Sequence, residues 1–123
     1  MDKASEQDRS ELVRRALSRK TRLSSFSSEA PTKWHPTSLR HPEGGEPFTG
    51  DNCWSFIADA ITQGEPVEQI VLRHPPGKRG FVMKLADHAG TAIYVKLQLL
   101  ADKVLGRSFH ESTGQEDEDE HHG

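Results

Sequence analysis

Between Cys53 and Phe109 the apolar positions recur with two different periods. Trp54, Ile57, Ala58 and Ile61 stand at i, i+3, i+4 and i+7, the stripe of an amphipathic helix. Asp51 or Asn52 is placed to cap its start, and Gly64 to stop it. Further on, Ile93, Val95, Leu97 and Leu99 alternate with Tyr94, Lys96 and Gln98, the period of two that puts one side of a strand on a core and the other away from it. Shorter runs predict strands at Ile70–Arg73, Gly80–Leu85 and Lys103–Phe109, with a helical turn opened by Pro66 before the first. The links Ala86–Gly90 and Leu100–Asp102 are short enough for hairpins. The expected fold is α+β, an antiparallel sheet of about four strands with a helix packed on one face.

The flanks read differently. Ser10–Lys20 sets Leu12, Val13, Ala16 and Leu17 on one stripe and Arg14, Arg15, Arg19 and Lys20 elsewhere, a short basic amphipathic helix. It either packs on its own domain or offers cations to RNA phosphates or a partner protein. Residues 21–33 are Ser-rich and read as a linker. Trp34–Pro47 holds three prolines and two glycines, so it should wrap the surface, anchored by Trp34.

With 123 residues the chain has room for one domain, and its 33% of apolar residues must be concentrated to build a core. The net charge of -3 conceals an asymmetry: residues 1–33 carry eight Lys/Arg against five acids, whereas residues 114–123 carry five acids and no base. The expected organisation is a basic arm over 1–33, a domain over 34–113 and a disordered acidic tail over 114–123. Solvation is the ordinary state of such a tail; mimicry of nucleic acid or shielding of a basic site is the alternative. His121 and His122 form too small a ligand set to predict a metal site, and the lone Cys53 excludes a disulfide framework or a Cys-rich zinc site. No apolar run is long enough for a membrane span, and the N-terminus lacks the apolar stretch of a signal peptide, which predicts a cytoplasmic protein without membrane contact.

The candidate chemistry lies on the polar side of the alternating strand. Tyr94, Lys96 and Gln98 could be joined by Arg107 or His110, and by Lys78 and Arg79 from the turn before the Gly80 strand. Cleavage of RNA by its own 2′-hydroxyl needs a proton acceptor, positive charge on the phosphorane-like transition state and a donor for the leaving oxygen, with no metal or other cofactor. His110 suits acid or base work; Lys96, Arg79 and Arg107 suit the phosphate. Alternation puts Arg107 and His110 on opposite faces unless the strand ends or bulges. A solvated sheet face carries the same residue types and is the simpler reading.

Tyr94-Val95-Lys96-Leu97 and Ser108-Phe109-His110, in the order helix, strand, strand, strand, closing strand, resemble the MqsR family of toxins, small ribonucleases related to the RelE group. The resemblance covers about residues 50–111. It implies an α+β fold, metal-independent cleavage of messenger RNA and inhibition by a cognate antitoxin. Tyr94 would be the catalytic tyrosine, His110 would stand where the family has a basic residue, and Lys96 at a further basic position. Arg73 or Lys78 would match a family lysine, and the family's catalytic glutamine has no counterpart.

Two other classes compete. Asp51-Asn52-Cys53-Trp54-Ser55-Phe56 resembles the nucleophile segment of papain-like cysteine peptidases, with Cys53 at a helix start and His88 as its base. Only seventy residues follow Cys53, too few for full papain-type spacing. The third class is a binding module that grips RNA or a protein on the same sheet without chemistry; convergence of Tyr94, Lys96 and His110 on one phosphate position separates catalyst from binder.

Overall fold

The computed structural model describes residues 2–24, 33–36, 39–40, 44–72, 77–87, 90–112 and 121–122. In chain order these form β1 (Asp2–Lys3), α1 (Glu6–Ala16), β2 (Arg22–Ser24), β3 (Lys33–Trp34), α2 (Asn52–Thr62), β4 (Glu68–Val71), β5 (Arg79–Ala86), β6 (Ala92–Leu99), β7 (Val104–Glu111) and β8 (His121–His122).

The helix predicted from Trp54, Ile57, Ala58 and Ile61 is α2, and all four side chains are buried. Asp51 is its N-cap without a side-chain cap bond. Thr49 and Asn52 supply the start instead: Asn52 N–H donates to Thr49 Oγ1 at 2.9 Å, and Thr49 N–H donates to Asn52 Oδ1 at 2.7 Å. At the other end Gly64 takes φ +97°, and Glu65 N–H closes back on the Ala60 carbonyl at 3.0 Å. No helical turn follows Pro66, because residues 65–67 run without regular structure into β4.

Strands β4 to β7 form the expected meander, each neighbour pair antiparallel. The sheet as a whole corrects the expectation. Short β2 and β3 both pair with β7 in parallel, so the sheet is mixed; its strands of three or more residues number five among those described, in the order β4-β5-β6-β7-β2. β1 and β8 add antiparallel pairs at β4. These additions come from segments dozens of residues away, a relation that local periodicity does not carry. β4 is also displaced from the predicted Ile70–Arg73 to Glu68–Val71, since Glu68 and Gln69 find partners in Val82 and Phe81.

One face of the sheet bears the main core. Phe81, Met83, Leu85, Ile93, Val95, Leu97, Val104 and Phe109 meet Trp54, Ile57, Ala58 and Ile61 of α2, with Leu12 and Ala16 of α1 fully buried in the same cluster. The stretch expected as an arm thus supplies a packed helix and two strands. Its helix starts at Glu6, four residues before the predicted start, and is capped by Ser5, whose Oγ accepts from Asp8 N–H at 3.1 Å. Several of its arginines are engaged within the fold. Arg9 donates to the Ile61 and Glu65 carbonyls at 2.6 and 2.8 Å, satisfying the C-terminus of α2. Arg15 donates to the Leu100 and Lys103 carbonyls at 2.8 and 3.1 Å and so holds the β6–β7 turn. Arg22 joins the Ala16 carbonyl to Asp51.

Trp34 anchors its segment as expected. Its ring lies 5.0 Å from that of Trp54 and 5.4 Å from that of Phe109, centroid to centroid, over the backbone of Gly106. Among the described residues no helix is long and apolar enough to cross a membrane.

Candidate functional site

The opposite face of the sheet is organised by β6. Tyr94 stands between Lys84 of β5 and His110 of β7, and Lys96 between Val82 and Ser108. Gln98 stands between Gly80 and Leu105. Strict alternation in β7 would send Arg107 away from His110, but the register shifts: Lys96 pairs with Ser108 whereas Leu97 pairs with Gly106. Arg107 is the extra residue, a β-bulge, and its guanidinium Nη1 donates to Gln98 Oε1 at 3.1 Å inside the structure. The bulge therefore puts Arg107 and His110 on the same face as Tyr94, Lys96 and Gln98.

Tyr94 and His110 also touch as rings, with centroids 5.6 Å apart and planes inclined by 35°. His110 Nδ1 lies 2.8 Å from the Glu111 carbonyl oxygen. A carbonyl can only accept, so the proton of this contact sits on Nδ1.

This face is not a solvated one, which corrects the simpler reading. Tyr94 is 1% exposed, Lys96 8% and Arg107 2%; Gln98 and Ser108 are buried as well, and His110 is half-buried. A second apolar cluster of Ile70, Leu72, Val82 and Tyr94 adjoins these polar groups. The face is thus divided, apolar toward β4 and cationic toward β7. Two buried cations in this setting need compensation by polar or anionic groups, and Tyr94, Lys96 and Arg107 each have a further interaction beyond those given above.

Other predicted residues lie elsewhere. Arg79 is on the α-helical side, where its Nη1 donates to Asp8 Oδ2 at 3.1 Å and Gln69 Oε1 at 3.2 Å, and its guanidinium lies 5.7 Å from the Phe81 ring centroid. It does not join the cluster, because it shares the parity of Phe81 in β5. Lys78 is exposed in the β4–β5 turn, and Arg73 lies outside the described residues. Two residues that sequence reasoning passed over belong to the face: Lys84, exposed beside Tyr94, and Ser108, buried beside Lys96. Cross-strand register was the missing signal for both.

The thiol reading loses its chemical basis. Cys53 is fully buried at the start of α2, and burial pushes its thiol up to about 12, with the nearby Arg22 charge opposing that rise only in part. Its Sγ contacts the Gly50 carbonyl at 3.5 Å. His88, the base in that reading, lies outside the described residues.

No family model, curated protein or solved structure matches the chain.

Proposed function

We propose that the protein is a metal-independent endoribonuclease of the toxin type, acting on messenger RNA in the cytoplasm and held in check by a cognate antitoxin. The observation that carries this reading is the β7 bulge, which joins Arg107 to Tyr94, Lys96 and His110 on one sheet face. The similarity of Tyr94-Val95-Lys96-Leu97 and Ser108-Phe109-His110 to the MqsR family supports it. His110 Nε2 takes the proton of the 2′-hydroxyl as the O2′–P bond forms. Lys96 and Arg107 balance the charge that grows on the non-bridging oxygens. The P–O5′ bond breaks, the Tyr94 hydroxyl gives its proton to the leaving oxygen, and the fragments end in a 2′,3′-cyclic phosphate and a 5′-hydroxyl.

The test is incubation of purified protein with messenger RNA in EDTA, with sequencing of the fragment ends. Site-specific, EDTA-resistant cuts are expected, and Tyr94→Phe and His110→Ala should each slow them by about 10²–10⁴-fold without unfolding the protein. Undiminished cleavage by the double variant refutes the assignment. The deep burial of Tyr94 and Arg107 favours a second reading, a non-catalytic RNA- or protein-binding module on the same sheet. Intact RNA with salt-sensitive binding would select it.

A further inference from the structure

Four residues line up across the strands at one end of the candidate site. Lys84 pairs with Tyr94, and Tyr94 with His110. β3 continues the row. Its Trp34 pairs with Phe109 and packs on the core side, and the next residue, His35, donates its N–H to the Phe109 carbonyl at 2.8 Å. In a parallel ladder that bond sets His35 beside His110, and alternation from Trp34 turns it to the face without helices. Pro36 follows and favours the extended backbone that His35 needs there. Lys84, Tyr94, His110 and His35 thus form one row over β5, β6, β7 and β3, three strand spacings or about 14 Å long.

Exposure marks this row as the approach to the site. Lys84 and His35 at its ends are exposed and His110 is half-buried, whereas Val82, Lys96 and Ser108 of the adjacent row are all buried. A strand of nucleic acid laid along the row meets an ammonium at one end and an imidazole at the other. An exposed ammonium suits a phosphate, and an exposed imidazole suits the face of an unstacked base. The reaction proposed above adds a direction. The 2′-hydroxyl whose proton His110 takes belongs to the nucleotide upstream of the scissile phosphate, and the oxygen that Tyr94 protonates belongs to the one downstream. The O2′–P–O5′ axis therefore runs from β7 toward β6, and one strand beyond it on either side stand His35 and Lys84.

We propose that RNA lies along this row with a fixed polarity: the base upstream of the scissile phosphate stacks on the His35 imidazole, and the next phosphate downstream pairs with the Lys84 ammonium. The polarity rests on the ribonuclease reading; the two contacts do not.

Once the cut site is mapped, KM and kcat are measured for the parent, Lys84→Gln and His35→Ala on three synthetic RNAs: the unmodified sequence, one with an uncharged methylphosphonate at the first linkage downstream of the cut, and one with an abasic ribose just upstream. On the unmodified RNA each variant should raise KM by about three- to tenfold and leave kcat within about twofold. On the methylphosphonate RNA Lys84→Gln should match the parent, and on the abasic RNA His35→Ala should match it. A loss that persists on its matching substrate, or variants that equal the parent on unmodified RNA, overturns the contacts, and the opposite matching overturns the polarity. The slope of log KM against log salt should fall by about 0.7 for Lys84→Gln and stay unchanged for His35→Ala. His35→Phe, which keeps a ring, should behave as the parent does, and a loss equal to that of His35→Ala overturns stacking. A parent that binds fluorescein-labelled oligouridine but cuts no RNA refutes the ribonuclease reading alone. The contacts then stand if both variants weaken that binding by about three- to tenfold, and fall if either binds as the parent does. A parent that neither binds nor cuts RNA overturns both.

Discussion

Gly106 sits in β7 directly under the ring of Trp34, and replacing it with alanine probes whether that contact holds the aromatic core. A Cβ at position 106 would lie 2.5 Å from Trp34 Cζ3, 2.6 Å from Cη2 and 2.8 Å from Cε3, distances that force the ring to move. It has little freedom to do so. Trp54 and Phe109 pack against it, and next to it His35 N–H donates to the Phe109 carbonyl at 2.8 Å in continuation of the β3–β7 pairing. Overpacking of this kind costs about 1–3 kcal/mol. The lower entropy of the unfolded chain with alanine offsets about 0.4–1 kcal/mol. Three contacts below 3.0 Å put the cost in the upper part of its range, about 2–3 kcal/mol, so the net loss for Gly106→Ala is about 1–2.6 kcal/mol, a fall in Tm of about 3–13 °C for a domain of this size. Thermal unfolding by circular dichroism, paired with urea titration to show an unchanged m-value, measures it. In a Trp34→Leu background the same substitution should cost almost nothing, because the obstructing ring is gone. A Gly106→Ala protein as stable as the parent, or an equal penalty in both backgrounds, would refute the close-packing argument.

Leu12→Ala should destabilise the fold by about 2–5 kcal/mol, the range for a fully buried leucine, and a change below about 0.5 kcal/mol in urea titration would mean that α1 is peripheral. Gln98→Leu removes the acceptor of a buried guanidinium and should cost about 1.5–3 kcal/mol; no loss of stability would show that Arg107 does not depend on it. Cys53 should react with a disulfide reagent at neutral pH only as fast as the protein unfolds, and Cys53→Ala should leave RNA cleavage unchanged. Its folded thiol holds a proton more tightly than the unfolded one, so that stabilising contribution is complete below about pH 9 and declines as pH rises toward about 12. The difference in stability between the parent and Cys53→Ala, followed across that interval, should shrink, and a constant difference would contradict the burial argument.

Local sequence was sufficient wherever an element's own period matched its surroundings. The 3.6-residue stripe of Trp54, Ile57, Ala58 and Ile61 and the two-residue alternation from Ile93 to Leu99 each identify the side that meets a core, because burying apolar area is the dominant gain and the backbone sets which positions face together. The antiparallel meander follows from the short links between those strands. Long-range pairing decided the rest. The parallel addition of β2 and β3 to β7, and the burial of Leu12 and Ala16 against α2, depend on partners far along the chain that no local period encodes. The position of Arg107 turns on a single extra residue in β7, and a one-residue slip reverses the face of a side chain without changing composition. For the same reason the polar types on β6 were legible as a candidate site, whereas their burial, which turns a row of surface side chains into a cluster of desolvated cations, was visible only once the strands were paired.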